Sequence, residues 1–112
     1  MQFTTQELDK GLLKAVLVGR LDIAGSAAID VPFTALASSQ KGVIVDLAGV
    51  DFLASLGIRT LLSTAKALQR RGGGLALLTP QPAVLEVLEV SGVLDLMPAF
   101  DSEAEARQAL GF

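Results

Sequence analysis

The 112-residue chain contains no histidine and no cysteine. Without histidine it lacks the side chain that most often moves protons near neutral pH, and the commonest metal ligand. Without cysteine there are no disulfides, no thiolate metal sites and no thiol nucleophile. Catalysis by carboxylates or lysine remains open, but the composition argues against an enzyme and against a bound metal or cofactor. Long apolar runs are missing too. None approaches the ~18 residues needed to cross a bilayer, and Met1-Gln2-Phe3-Thr4 lacks the basic opening of a secretory signal. The expectation is a cytoplasmic protein with no membrane insertion. Charge is sparse and slightly acidic, net −3, which gives no reason to expect nucleic acid as a partner.

What is present is apolar: 51% of the residues are hydrophobic and mean hydropathy is +0.54. That composition builds one ordinary core, so residues 1–112 are read as one domain. It also hints at surface reserved for another protein.

The stretch from Gly42 to Arg59 organises the rest. Val43-Ile44-Val45 is a β-branched run bounded by Gly42, as expected of a strand buried on both faces. From Ser55 onward Ile58, Leu61, Leu62, Ala65 and Leu68 recur at helical spacing. A short loop joins them, with Asp46 and Asp51 on its approach, where each aspartate can satisfy backbone N–H groups. Ser55 begins the helix. It can serve as a plain cap for the first free N–H groups. It can also carry a phosphate, which the positive end of the helix dipole favours.

Before this stretch, Phe3–Leu8 and Leu12–Leu21 read as two strands of a hairpin turning at Asp9-Lys10-Gly11. Ile29, Phe33 and Leu36 lie at helical spacing, interrupted by Pro32. The helix either begins near Asp30, with Pro32 in its first turn, or begins earlier and is kinked. After it, the second helix runs to about Arg71, where Arg70 and Arg71 complement the carbonyl end of its dipole, and Gly72-Gly73-Gly74 stops it. Leu75–Thr79 is a further buried strand, and Pro82 opens a helix that presents Val84, Val87, Leu88 and Ser91 on one side and ends at Gly92. Leu94–Phe100 reads as a short edge strand broken by Pro98, and Ser102 with Glu105 has the spacing of a capping box opening a last helix through Leu110. The fold class is α/β. It is a small mixed sheet of four to five strands, parallel at its centre with an N-terminal hairpin, carrying about four helices.

Gly19-Arg20-Leu21-Asp22, Val43-Ile44-Val45-Asp46-Leu47, Asp51-Phe52-Leu53-Ala54-Ser55-Leu56-Gly57, Pro80 and Val90-Ser91-Gly92-Val93-Leu94 occur in the order and spacing of one known family. The chain resembles the STAS domain family, named for sulfate transporters and anti-sigma factor antagonists. The resemblance implies a stand-alone regulatory protein that binds an anti-sigma factor acting as a serine kinase. Ser55 would be the phosphoacceptor. The switch surface would hold Asp22, Asp51, Ala54, Ser55, Leu56, Gly57 and Arg59. The chain departs from the family at Ala54, where an aspartate often precedes the serine, and at Leu56, where a small hydroxyl residue is common. A second reading is an accessory subunit of a transport or lipid-trafficking complex, with Ser55 unmodified. A homodimer is left open. A response-regulator receiver is excluded because Asp9 stands alone after the first strand and no lysine follows the last, too few ligands for its Mg²⁺. Serine hydrolysis at Ser55 is excluded by the missing histidine and by Lys66, about three turns away.

Overall fold

A computed structural model describes residues 1–112. Strands β1 (Gln2–Asp9), β2 (Leu12–Leu21), β3 (Gly42–Leu53), β4 (Gly74–Leu78) and β5 (Ala99–Phe100) form one sheet in the order β1-β2-β3-β4-β5. β1 and β2 pair antiparallel, and every later pair is parallel. The helices are α1 (Ile23–Ser39), α2 (Ser55–Arg70), α3 (Pro82–Ser91) and α4 (Glu103–Ala109). The sheet with its opening hairpin and parallel centre is the expected α/β arrangement.

The layers follow from which apolar residues each strand offers. Ala15, Leu17, Val43, Val45, Leu75 and Leu77 point to one face, where α1, α2 and α3 bring Ile29, Phe33, Leu61, Leu68 and Leu88. Phe33 is fully buried, worth ~1.5–3 kcal/mol in apolar burial, and its ring lies 5.6 Å from that of Phe3 on β1. The opposite face buries Leu12, Ile44, Ala76 and Leu78 under α4, which contributes Ala106. Lys14 Nζ donates to Glu103 Oε1 at 2.9 Å, and Arg107 donates to the Leu8 carbonyl and to Asp9 Oδ2, each at 3.2 Å, fastening α4 to the hairpin.

β3 is longer than its sequence indicates. Beyond Val45 its buried residues are Leu47, Val50 and Leu53, three apart where a flat strand would have two. The register explains this: pairing jumps from Val16–Asp46 to Val18–Gly49, and again from Gly19–Val50 to Arg20–Phe52. Each jump is a bulge that inserts one extra residue into β3, so the inward-facing position slips by one. A segment that reads as loop is therefore paired strand, and Asp46 and Asp51 lie within it.

The other departures are local. α1 begins at Ile23, capped by Asp22, so Pro32 is interior and the first-turn alternative is wrong. Its ring removes the N–H that the Ala28 carbonyl would have received. Arg71, the C-cap of α2, also donates to the carbonyls of Ala37 and Gln40 at the end of α1, which its sequence position does not show. Ser91 is exposed, off the buried face of α3. Of Leu94–Phe100 only Ala99 and Phe100 pair as strand, because Leu96 and Met97 donate back to the Val93 carbonyl in a turn that Pro98 ends.

Candidate functional site

β2 and β3 are adjacent and parallel, with Leu21 paired to Leu53, and each is followed almost at once by a helix. The N-termini of α1 and α2 therefore emerge side by side at the carboxyl edge of the sheet, the edge where open α/β sheets assemble their sites. Asp22, Asp51 and Ser55, which the sequence places 33 residues apart at the extremes, share this edge.

Asp22 is the N-cap of α1. Its Oδ1 accepts the Gly25 N–H at 2.8 Å, while its carbonyl receives the Ser26 N–H. A Cβ on Gly25 would come within 2.0 Å of the Arg20 carbonyl oxygen, so this turn requires glycine. Asp46 also has a structural role: its Oδ1 accepts the Ala48 N–H at 2.9 Å inside the first bulge of β3. Asp51 is the extra residue of the second bulge, unpaired in the ladder and exposed. A bulge at this point re-aims the side chain at the rim of the sheet.

Ser55 is the first residue of α2 and is exposed. The N-cap is Ala54, in extended conformation, and no side chain caps the helix. The plain capping role expected of Ser55 is thus absent, for a geometric reason. A capping side chain acts from the residue before the first helical one, and Ser55 sits one position too late. Its hydroxyl stands at a helix end whose N–H groups no side chain satisfies, in the first turn of a positive dipole.

Gly57 faces inward: an added Cβ would stand 2.9 Å from Leu53 Cδ1 and 3.1 Å from the Leu21 carbonyl oxygen. Its smallness serves packing of α2 on β2 and β3. Leu56 and Arg59 point outward, Leu56 with 36% of its surface exposed and Arg59 without an ion pair. Arg20 and Phe52 join this edge. The Arg20 guanidinium carbon lies 4.2 Å over the Phe52 ring, and its Nε is 3.8 Å from Asp22 Oδ2. Both lie in segments that carry the family resemblance, but their contact is not legible in the sequence, since only the second bulge brings Phe52 opposite Arg20. No group of three or more acidic side chains is gathered closely enough to hold a metal ion, and no helix is long and apolar enough to cross a membrane.

The likenesses to known proteins run the length of the chain. A Bordetella bronchiseptica protein that carries the name anti-sigma factor antagonist BtrV is 33% identical over 110 residues, spanning 97% of this chain and 94% of that protein. An anti-sigma F factor antagonist of Paenibacillus polymyxa is 26% identical over 102 residues, 89% of this chain and 87% of that protein. Among solved structures, the anti-sigma factor antagonist SpoIIAA in its unphosphorylated form superposes with a TM-score of 0.83 at 21% identity, covering 99% of this chain and 98% of that one. The phosphorylated form of the Bacillus protein does so at 0.75 and 22%, covering 96% and 98%. The order of strands and helices, these end-to-end likenesses, and a match of the STAS domain model to residues 6–106 lead to one assignment: the chain belongs to the STAS domain family.

Proposed function

We propose that this protein is an anti-sigma factor antagonist, a cytoplasmic binding protein without catalysis of its own, that engages an anti-sigma factor acting as a serine kinase and is switched by phosphorylation of Ser55. The observation that carries the reading is the state of Ser55: exposed, in the first turn of α2, with no capping duty that a phosphate would disrupt. A phosphate there brings nearly two negative charges to the positive end of α2, which tolerates them, and to a surface shared with Asp22 and Asp51, where a partner fitted to a neutral serine does not. The relatives named as anti-sigma factor antagonists, and a structural neighbour known in both phosphorylated and unphosphorylated forms, support it.

The test is intact-mass spectrometry with site mapping on protein from its native host, under normal and stressed growth. A phosphate on Ser55 whose occupancy changes with conditions is expected. An abundant protein that stays unmodified throughout overturns the switch. That outcome favours a second reading, a constitutive accessory subunit of a transport or lipid-trafficking complex, for which Ala54 in place of the usual acid is the specific support.

A further inference from the structure

α1 lies on the outer layer, yet its exposed side is largely apolar, interrupted by Asp30, Thr34, Ser38 and Ser39. Among its 17 residues Asp30 is the only charged one, and Ile23 and Val31 leave 73% and 76% of their surface exposed. Large apolar side chains left open on a helix surface mark a contact site. Beside it, α2 has the opposite character on its outer side: Arg59, Lys66 and Arg70 follow one another at spacings of seven and four, with no acidic residue anywhere in the helix. None of the three cations is paired within the chain. They form a basic ridge on a protein whose net charge is −3.

Between the apolar helix and the basic ridge runs a groove. Its first hollow, about 330 Å³, is lined by Ser26, Ala27, Asp30, Val31, Leu56 and Thr60. A second, about 190 Å³, continues the seam past Asp30 and Thr60 to Ala37 and Ala67. From Leu56 to Ala67 the seam follows α2 for ~17 Å, some three turns of helix. Its walls are largely alanine, threonine and serine, small enough for another backbone to come close. Buried under the first hollow, the Ser26 hydroxyl has no hydrogen-bond partner.

We propose that this seam is a docking groove for an amphipathic helix of a protein partner, with an apolar stripe seated between α1 and α2 and carboxylates along the flank that meets Arg59, Lys66 and Arg70. Charge complementarity selects this occupant. A symmetric contact with a second copy of the chain would set the same three cations and single carboxylate against themselves. A flat lipid surface would not fill a concave seam. The inference rests on the reading of this chain as a partner-binding protein and names the chemistry of what it binds. Leu56 ends the groove beside Ser55, so a phosphate on Ser55 would face the docked helix's carboxylates and weaken docking.

The test uses two synthetic helical peptides of about 14 residues, sized to the seam. Both carry leucines at helical spacing on one face; one has glutamates on its flanks and the other lysines. Binding to the full chain is read by fluorescence anisotropy and by amide chemical-shift mapping. The acidic peptide is expected to bind about tenfold more tightly than the basic one, with shifts confined to α1 and α2. Arg59→Glu with Lys66→Glu should abolish that preference, and the neutral Val31→Gln should weaken both peptides. These side chains are exposed, and an unchanged thermal melt will establish that each variant is folded. Equal affinity for the two peptides, no binding, or shifts elsewhere overturns the proposal. So does a dimer in sedimentation that Val31→Gln dissociates, or binding to anionic vesicles that the double charge reversal removes. The assay does not read phosphate, so failure here leaves a measured Ser55 phosphate standing, and an unmodified Ser55 leaves a positive peptide result standing.

Discussion

Arg71, the C-cap that follows α2, donates from Nη1 to the carbonyl oxygen of Ala37 in the last turn of α1 at 2.8 Å, and to that of Gln40 at the same distance. α1 has no basic residue in its own last turn, so its free carbonyls are satisfied from the neighbouring helix. Replacing Arg71 by alanine should lower the free energy of unfolding by ~1.5–3 kcal/mol, the range for hydrogen bonds to charged groups. Urea titration would detect it. Stability within ~0.5 kcal/mol of wild type would mean that water serves those carbonyls as well.

The two helix starts at the candidate site should respond oppositely to substitution. Asp22→Ala removes a formed cap and should cost ~0.5–2 kcal/mol. Ser55→Ala removes none and should leave stability within ~0.5 kcal/mol of wild type. A loss at Ser55 equal to that at Asp22 would show that its hydroxyl caps the helix in solution.

Ala54 occupies the N-cap of α2 with extended backbone and no cap bond. Ala54→Asp should therefore stabilise the protein by ~0.5–2 kcal/mol. It also restores the acid that commonly precedes the serine in the family. If the proposed switch at Ser55 operates and that acid contributes to recognition, the same variant should be phosphorylated faster at Ser55 by its kinase. Thermal melts and a phosphorylation time course read the two effects separately.

Gly57→Ala should destabilise by ~1–2 kcal/mol even though alanine is the better helix former. The added methyl meets the Leu21 carbonyl oxygen and Cβ at 3.1 Å, and neither can rotate away as Leu53 Cδ1 can. Unchanged stability with reduced partner binding would move Gly57 from packing to contact.

The Ser26 hydroxyl is buried without a partner. Ser26→Ala should be neutral or stabilising by up to ~1 kcal/mol, since a desolvated hydroxyl without a hydrogen bond opposes folding. A clear loss on chemical denaturation would mean that the hydroxyl is satisfied.

Local patterns were enough to read much of this molecule from its sequence. The hairpin at Asp9-Lys10-Gly11, the apolar run at Val43–Val45, the stripe along α2, Pro82 at the start of α3 and the Ser102–Glu105 box each depend on neighbours within a few residues. Each forms as expected: Ser102 Oγ, for example, accepts the Glu105 N–H at 3.1 Å. Ser55 was likewise legible as the head of a helix. Tertiary structure decided what depends on a partner strand or helix. The bulges of β3 exist only in register with β2; they turn Asp51 outward and set Phe52 beneath Arg20. Packing on the sheet carries α1 through Pro32, overriding a residue that ends helices in isolation. Arg71 found its acceptors on α1, 34 and 31 residues away. The sequence by itself determined the order of strands and helices, because periodicity and capping are short-range. The tertiary structure alone decided which side chains share the edge beside Ser55, because that edge is made by two parallel strands meeting across an intervening helix.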